Sequence, residues 1–468
     1  MFAARTGTLA IAIWMAWAPA AFAQDKPPQT NAELAKQVGD LAAMVERLQA
    51  RVDELEAKLG NSVPVPAPAT TAPSAPPPLA PPQTAAAPAA PGSPLSGLLG
   101  GTTVNFVLDG YYGFNFNNPV GRVNLLRAYD VSSNAFSLNQ ADVVLENAAD
   151  PDHGKRYGLR VDLQFGQATA TLQGSASSEP RPDIYRNVFQ AYGTYVFAVG
   201  GGLTVDFGKW ASSLGMEGNY TKDQINYSRS LLFDYLPFYH MGARANYKVN
   251  QTLALNYWLV NGTEQTEPFN GFKDQLFGFV LTPNKSLTWT VNYYLGQEHP
   301  DVLYLPGYGG TGLPSLQGTP FETIPNPPQG KLHIFDTYLQ WQASKRLSFA
   351  WEGDYVVERL YENSAPQHVT ATAGYARYQL TAKFAFGART EYISDRGGLF
   401  TGVTQAVKEQ TFTAEEVVAD GLLLRAEWRR DASNQPYFLT STQGILKREQ
   451  NTATLGIVWW FGGKQGAW

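Results

Sequence analysis

Along most of this chain, apolar and charged positions alternate with a period of two. In Leu422–Asp431, Leu422, Leu424, Ala426 and Trp428 fall on one side of an extended strand, and Leu423, Arg425, Glu427, Arg429 and Asp431 on the other. The same pattern sets Arg160, Asp162 and Gln164 against Leu159, Val161, Leu163 and Phe165. It recurs with Gly387, Arg389 and Glu391 against Phe386, Ala388, Thr390 and Tyr392. One such strand would suit a half-solvated sheet. Many of them, each about ten residues long, suit a membrane barrel with an apolar outside and a polar lumen.

The spacing of turns sharpens this reading. Strands are expected at Phe136–Asn147, Tyr157–Gln167, Tyr185–Val199 and Leu203–Trp210, after a first strand from Val104 to Phe116. Brief turns at Gly200–Gly202, Asn250–Gln251, Thr282–Ser286, Ala343–Arg346, Thr381–Lys383 and Ala419–Gly421 alternate with long connections. The longest of these are Ala211–Phe238 and Glu298–Gly330. Short turns on one rim and long loops on the other predict an all-β fold, a closed antiparallel transmembrane β-barrel over residues 101–468. Counting hairpins gives about 16 strands, with both ends at the periplasmic rim. Closure has a physical cause, because every backbone N–H and C=O in hydrocarbon must be paired within the protein. Trp289, Tyr293, Trp341, Trp351, Tyr355, Trp428 and Trp459 fall on the outward phase near strand ends, where interfacial girdles would place them.

The N-terminal hundred residues read differently. Residues 1–23 have the charged start (Arg5), apolar core (Leu9–Ala18) and Ala21-Phe22-Ala23 cleavage site of a signal peptide. Leu34, Val38, Leu41, Val45, Leu48, Val52, Leu55 and Leu59 then make a heptad seam, predicting a coiled-coil helix over 32–60. A lone helix of that length is marginal in water, so residues 34–59 are expected to join copies of the chain, with a trimer as the expectation. Residues 61–97 hold 12 prolines and 10 alanines and no charge. The stretch 61–100 is therefore an extended periplasmic linker with no core to bury.

Composition agrees with the pattern. Aromatic residues make up 13% of the chain and charged ones only 16%, as lipid-facing strands require. The net charge of −5 gives no footprint for nucleic acid. The absence of cysteine excludes a disulfide framework or a thiolate metal site.

On these strand phases the inward rows carry the candidate pore lining: Arg160, Asp162, Asp206, Arg244, Asp336, Glu352, Asp354, Arg377, Arg389, Glu391, Arg425, Glu427, Arg429 and Asp431. With Asp109, Asp142, Glu146, Glu358 and Lys248 added, the inward acids outnumber the bases, which predicts a weak cation preference. Pairing between neighbouring Arg and Glu rows is the plainer role for the same residues. The connection Ala211–Phe238 is the candidate constriction loop. Its charged residues are Glu217, Lys222, Asp223, Arg229 and Asp234, and Tyr220, Tyr227, Phe233 and Tyr235 are its anchors to the wall. An exposed outer loop is the alternative. Arg430, outward beside Trp428, is read as a rim charge or a contact for lipid phosphate.

Several short motifs converge on one family. They are Gly208-Lys209…Gly215-x-Glu217, Asn226-Tyr227-Ser228-Arg229-Ser230, Pro237…His240-Met241-Gly242 and Arg425-Ala426-Glu427-Trp428-Arg429-Arg430-Asp431. With them, residues 101–468 resemble the outer-membrane β-barrel porins of the OmpL-like kind. Thr454-x-Gly456-x-x-Trp459-x-Phe461 also resembles the assembly signal of outer-membrane barrels, although seven residues follow it. The resemblance implies a bacterial outer-membrane porin and brings no substrate, cofactor or catalytic residue.

The expected function is passive diffusion of small hydrophilic solutes. The alternative is a structural protein, tethering the membrane to the cell wall through the periplasmic coiled coil. An enzyme is not expected. The five histidines show no metal spacing, no nucleophile elbow or phosphate loop appears, and only His240 and His333 could serve as bases. No metal site and no cofactor is expected.

Overall fold

The computed structural model describes residues 101–172, 179, 182–304 and 321–464. The signal peptide (1–23), coiled coil (32–60, with its oligomer seam at 34–59) and linker (61–100) lie outside the described residues.

Sixteen antiparallel strands close into one barrel. They are β1 (Thr103–Asn115), β2 (Ala135–Asn147), β3 (Tyr157–Phe165), β4 (Val188–Phe197), β5 (Leu203–Ala211), β6 (Tyr239–Lys248), β7 (Leu253–Val260) and β8 (Asp274–Asn284). The second half comprises β9 (Leu287–Gly296), β10 (Leu332–Gln342), β11 (Leu347–Glu358), β12 (Gln367–Gln379), β13 (Phe384–Arg396), β14 (Gln405–Ala419), β15 (Leu422–Ser433) and β16 (Glu449–Gly462). Each strand pairs with its sequence neighbour, and β1 pairs with β16 from Asn105↔Gly462 to Asn115↔Thr452, so no edge is left open.

Two strand ends differ from expectation. Gln167 belongs to a short helix, Gln167–Leu172, and Tyr185 to another, Pro182–Tyr185, so β3 stops at Phe165 and β4 begins at Val188. Gly166 explains the first break, since its left-handed backbone (φ +106°) ends the extended run.

The two faces of the wall are chemically opposite. Outward residues such as Phe136, Phe207, Leu455 and Phe461 stand exposed, which suits contact with lipid. Inward residues along β15 are buried one after another: Leu423, Arg425, Glu427, Arg429 and Asp431. Buried charge of this kind requires partners close by. Those partners come from neighbouring wall positions and from the long connections.

Candidate functional site

Residues 212–238, between β5 and β6, pass through the barrel interior, and their backbone explains the charged wall. A segment with no strand partner must satisfy its N–H and C=O groups some other way. Here inward carboxylates accept its amides. Glu427 takes the N–H of Tyr227 at 2.6 Å and of Ser228 at 2.9 Å. Glu391 takes Leu231 N–H at 2.7 Å, and Glu352 takes Met216 N–H at 3.2 Å. Inward guanidiniums meet its carbonyls. Arg425 donates to Thr221 O at 2.6 Å, Arg389 to Ser228 O at 2.8 Å, and Arg429 to Arg229 O at 2.5 Å.

The loop's own side chains complete the network. Glu217 reaches Arg389 at 3.0 Å while its other oxygen accepts Ser230 N–H at 2.6 Å. The Arg229 guanidinium lies 4.3 Å from the Tyr129 ring centre and donates to Gly218 O and Asn219 O. Lys222 pairs with Asp223 at 2.7 Å. Asp234, on the short loop helix Leu231–Tyr235, is partly open, yet burial within the barrel pushes its carboxyl up to about 7. Nearby Arg429 and Arg127 act against that rise.

Aromatic anchors hold the same segment. Tyr220 donates to Asp162 and receives Arg160 at 3.2 Å, and Tyr227 donates to Asp109 at 2.7 Å. Phe233 meets Tyr129 edge-on at 5.6 Å, and Tyr235 stacks on Phe400 at 4.8 Å. Leu231, Leu232 and Leu236 pack with inward Ile334, Val356, Val369 and Ile393.

All fourteen candidate lining residues lie on the inward phase of their strands, twelve of them buried and Arg244 and Arg377 partly open. The register joins several of them. Glu391, Glu409 and Asp431 share one cross-strand row, and Arg389 and Arg429 share the next, so acid and base rows alternate. Arg389 pairs with Glu391 at 2.7 Å, Arg429 with Asp431 at 2.9 Å, and Asp431 with Arg127 at 2.7 Å. Arg377 and Arg425 both hold Glu415 at 2.7 Å. Arg160–Asp162 (2.9 Å) and Arg244–Asp206 (2.6 Å) stand apart on the β3 and β5–β6 side. Asp336, Glu352 and Asp354 enter no ion pair among the described residues.

The sequence reading missed several members. Glu409 and Glu415 lie inward on β14, where outward Lys408, Gln410 and Glu416 blur the alternation. Arg127, in the β1–β2 connection, had no period to reveal it. Gly387 and Gly456 are notches: a Cβ on Gly387 would stand 2.8 Å from Ile225 O, and one on Gly456 would run into the Tyr227 ring.

Of the two candidate bases, His240 is buried with Nε2 3.1 Å from Ser212 Oγ and Nδ1 3.1 Å from Gly262 O. His333 faces outward, 2.9 Å from the Tyr293 hydroxyl. Arg430, also outward, pairs with Glu449 at 2.6 Å.

A family model described as "Putative beta-barrel porin-2, OmpL-like" matches residues 101–461. Among solved structures, the anion-selective porin from Comamonas acidovorans superposes with a TM-score of 0.50 at 7% identity, over 77% of this chain and 99% of that one. The outer membrane channel DcaP of Acinetobacter baumannii gives 0.49 at 9% identity, over 77% and 97%. OprB of Pseudomonas putida gives 0.48 at 12% identity, over 78% and 95%. No curated protein matches the chain. At 7% identity the first of these likenesses speaks for the barrel fold alone.

Proposed function

The chain belongs to the OmpL-like β-barrel porin family of the bacterial outer membrane, and from that premise we propose that it passes small hydrophilic solutes by diffusion, with a weak cation preference. The observation that carries this reading is the interior loop. A segment fixed to the wall at Glu217, Tyr227, Arg229 and Leu231 narrows the lumen without hinged parts, as a size filter needs. The fourteen inward charges are the pore lining in this reading, and Glu217, Lys222, Asp223, Arg229 and Asp234 line the constriction. The cation preference follows from the balance of charge. The inward arginines are held in ion pairs with carboxylates, whereas no base among the described residues pairs with Asp142, Asp336, Glu352 or Asp354, so acids remain in excess.

The tethering role remains a second reading, favoured by the heptad seam and the proline-rich spacer of the sequence. In it the coiled coil, in the periplasm, reaches toward the cell wall. In both readings residues 34–59 join the chains, three in our proposal. Liposome swelling over a series of sugars, with reversal potentials in a salt gradient, tests the channel. Swelling that falls with solute size, with a cation-directed potential, is the expected result. A barrel silent to every solute favours the tether.

A further inference from the structure

On β10 and β11 the wall departs from the pairing of acids with bases. Asp336 faces Asp354 directly across the two strands, and Glu352 stands one inward position along from Asp354, opposite Tyr338. The three are 1%, 4% and 1% exposed in the order Asp336, Asp354, Glu352, and one oxygen of each lies within 4.8 Å of the others. Like charges directly opposite on a sheet repel.

A second observation concerns hydrogen bonding. Neither oxygen of Asp354 has a donor, and Oδ1 of Asp336 has none. Asp354 therefore turns an unsatisfied oxygen into the cluster whichever one it contributes. The remaining oxygens are accounted for. Asn292 Nδ2 donates to Asp336 Oδ2 at 2.8 Å, Met216 N–H to Glu352 Oε1 at 3.2 Å, and the Tyr375 hydroxyl lies 3.5 Å from Glu352 Oε2. Buried carboxylate oxygens with neither donor nor counter-charge call for a positive partner.

We propose that Asp336, Glu352 and Asp354 hold a hard divalent cation of the calcium type, clamping the start of the interior loop to the wall. The donors are all oxygen, with no histidine or thiolate among them, which disfavours soft transition metals. Calcium accepts irregular shells of carboxylates and backbone carbonyls. A carbonyl of the loop stands beside this patch: Ser213 O accepts from the same Asn292 nitrogen that bonds Asp336, at 3.1 Å, and lies 3.5 Å from the Tyr338 hydroxyl. Ser213 and Met216 both touch this patch, so the cation would fix the first residues of the loop, next to the Glu217–Arg389 pair. The site stands independently of whether the lumen conducts.

The test uses the full chain folded in a maltoside detergent, stripped with chelator and returned to calcium. Calcium is expected to raise Tm by about 2–5 °C, the size that saturating one site gives in a large domain. Terbium is expected to bind one per chain with emission sensitised by neighbouring aromatics such as Tyr375, and calcium should displace it. Asp354→Asn and Glu352→Gln should abolish both responses, while their Tm in chelator equals or exceeds that of the parent because repulsion is relieved. Absence of a calcium response in the parent overturns the site and assigns the cluster a shared proton. Responses that survive in both variants overturn it equally, since the cation then sits elsewhere.

Discussion

Tyr227 lies against Gly456 so closely that a Cβ on the glycine would penetrate its ring, while the Tyr227 hydroxyl reaches Asp109 at 2.7 Å. A loop residue is thus seated in a notch of the wall and latched at its far end. Gly456→Val removes the notch. Overpacking of this kind costs about 1–3 kcal/mol, and displacing the loop is easier than deforming a closed wall. Single-channel conductance should rise about two-fold or more, with heat-modifiable gel mobility showing that the barrel still forms. Unchanged conductance would mean that the loop does not set the bore.

Arg389 is the centre of the charge network, holding Glu217, Glu391 and Glu409 together with two loop carbonyls. Arg389→Ala leaves these carboxylates buried without their base, a loss of about 3–5 kcal/mol when one partner of a buried pair is removed. Urea unfolding in lipid vesicles should show that drop. Protease should cut within residues 212–238 of the variant while sparing the parent.

Asp206 and Arg244 pair at 2.6 Å where the wall is less tightly filled, Arg244 being partly open. Asp206→Asn frees a guanidinium toward the lumen and removes one negative charge. The reversal potential in a tenfold salt gradient should move toward anions by several millivolts, with conductance nearly unchanged. A shift toward cations would contradict the proposed lining.

Asp234 binds its proton more tightly in the barrel, up to about 7, than in the unfolded chain, where a carboxyl titrates near about 3.9. Folding therefore takes up a proton between these values, so the contribution to stability falls as pH rises from about 4 to about 7 and is level above. The difference in unfolding free energy between the parent and Asp234→Asn, followed from pH 4.5 to 8, should trace that decline. A flat difference would place the carboxyl in water.

Much of this site was legible from alternation. Arg425, Glu427, Arg429 and Asp431 share a face because side chains on a strand alternate, whatever the strand pairs with. Tyr220 and Tyr227 were also legible as anchors, since a polar loop has little other use for them. Their targets, Asp162 and Asp109, were not: each contact joins residues 58 and 118 positions apart. Gly456 shows how a local motif hides a distant role. In sequence it belongs to an assembly signal, and in the barrel it also receives Tyr227.

The sequence by itself determined that the chain makes a closed barrel with a greasy outside and a charged inside, because backbone pairing in lipid and the two-residue period are local demands. Only the tertiary structure decided which charges meet. It set Glu391, Glu409 and Asp431 in one row beside their arginines and left Asp336 facing Asp354. Register and the path of a loop are settled by contacts across the barrel, and no stretch of neighbouring residues encodes those.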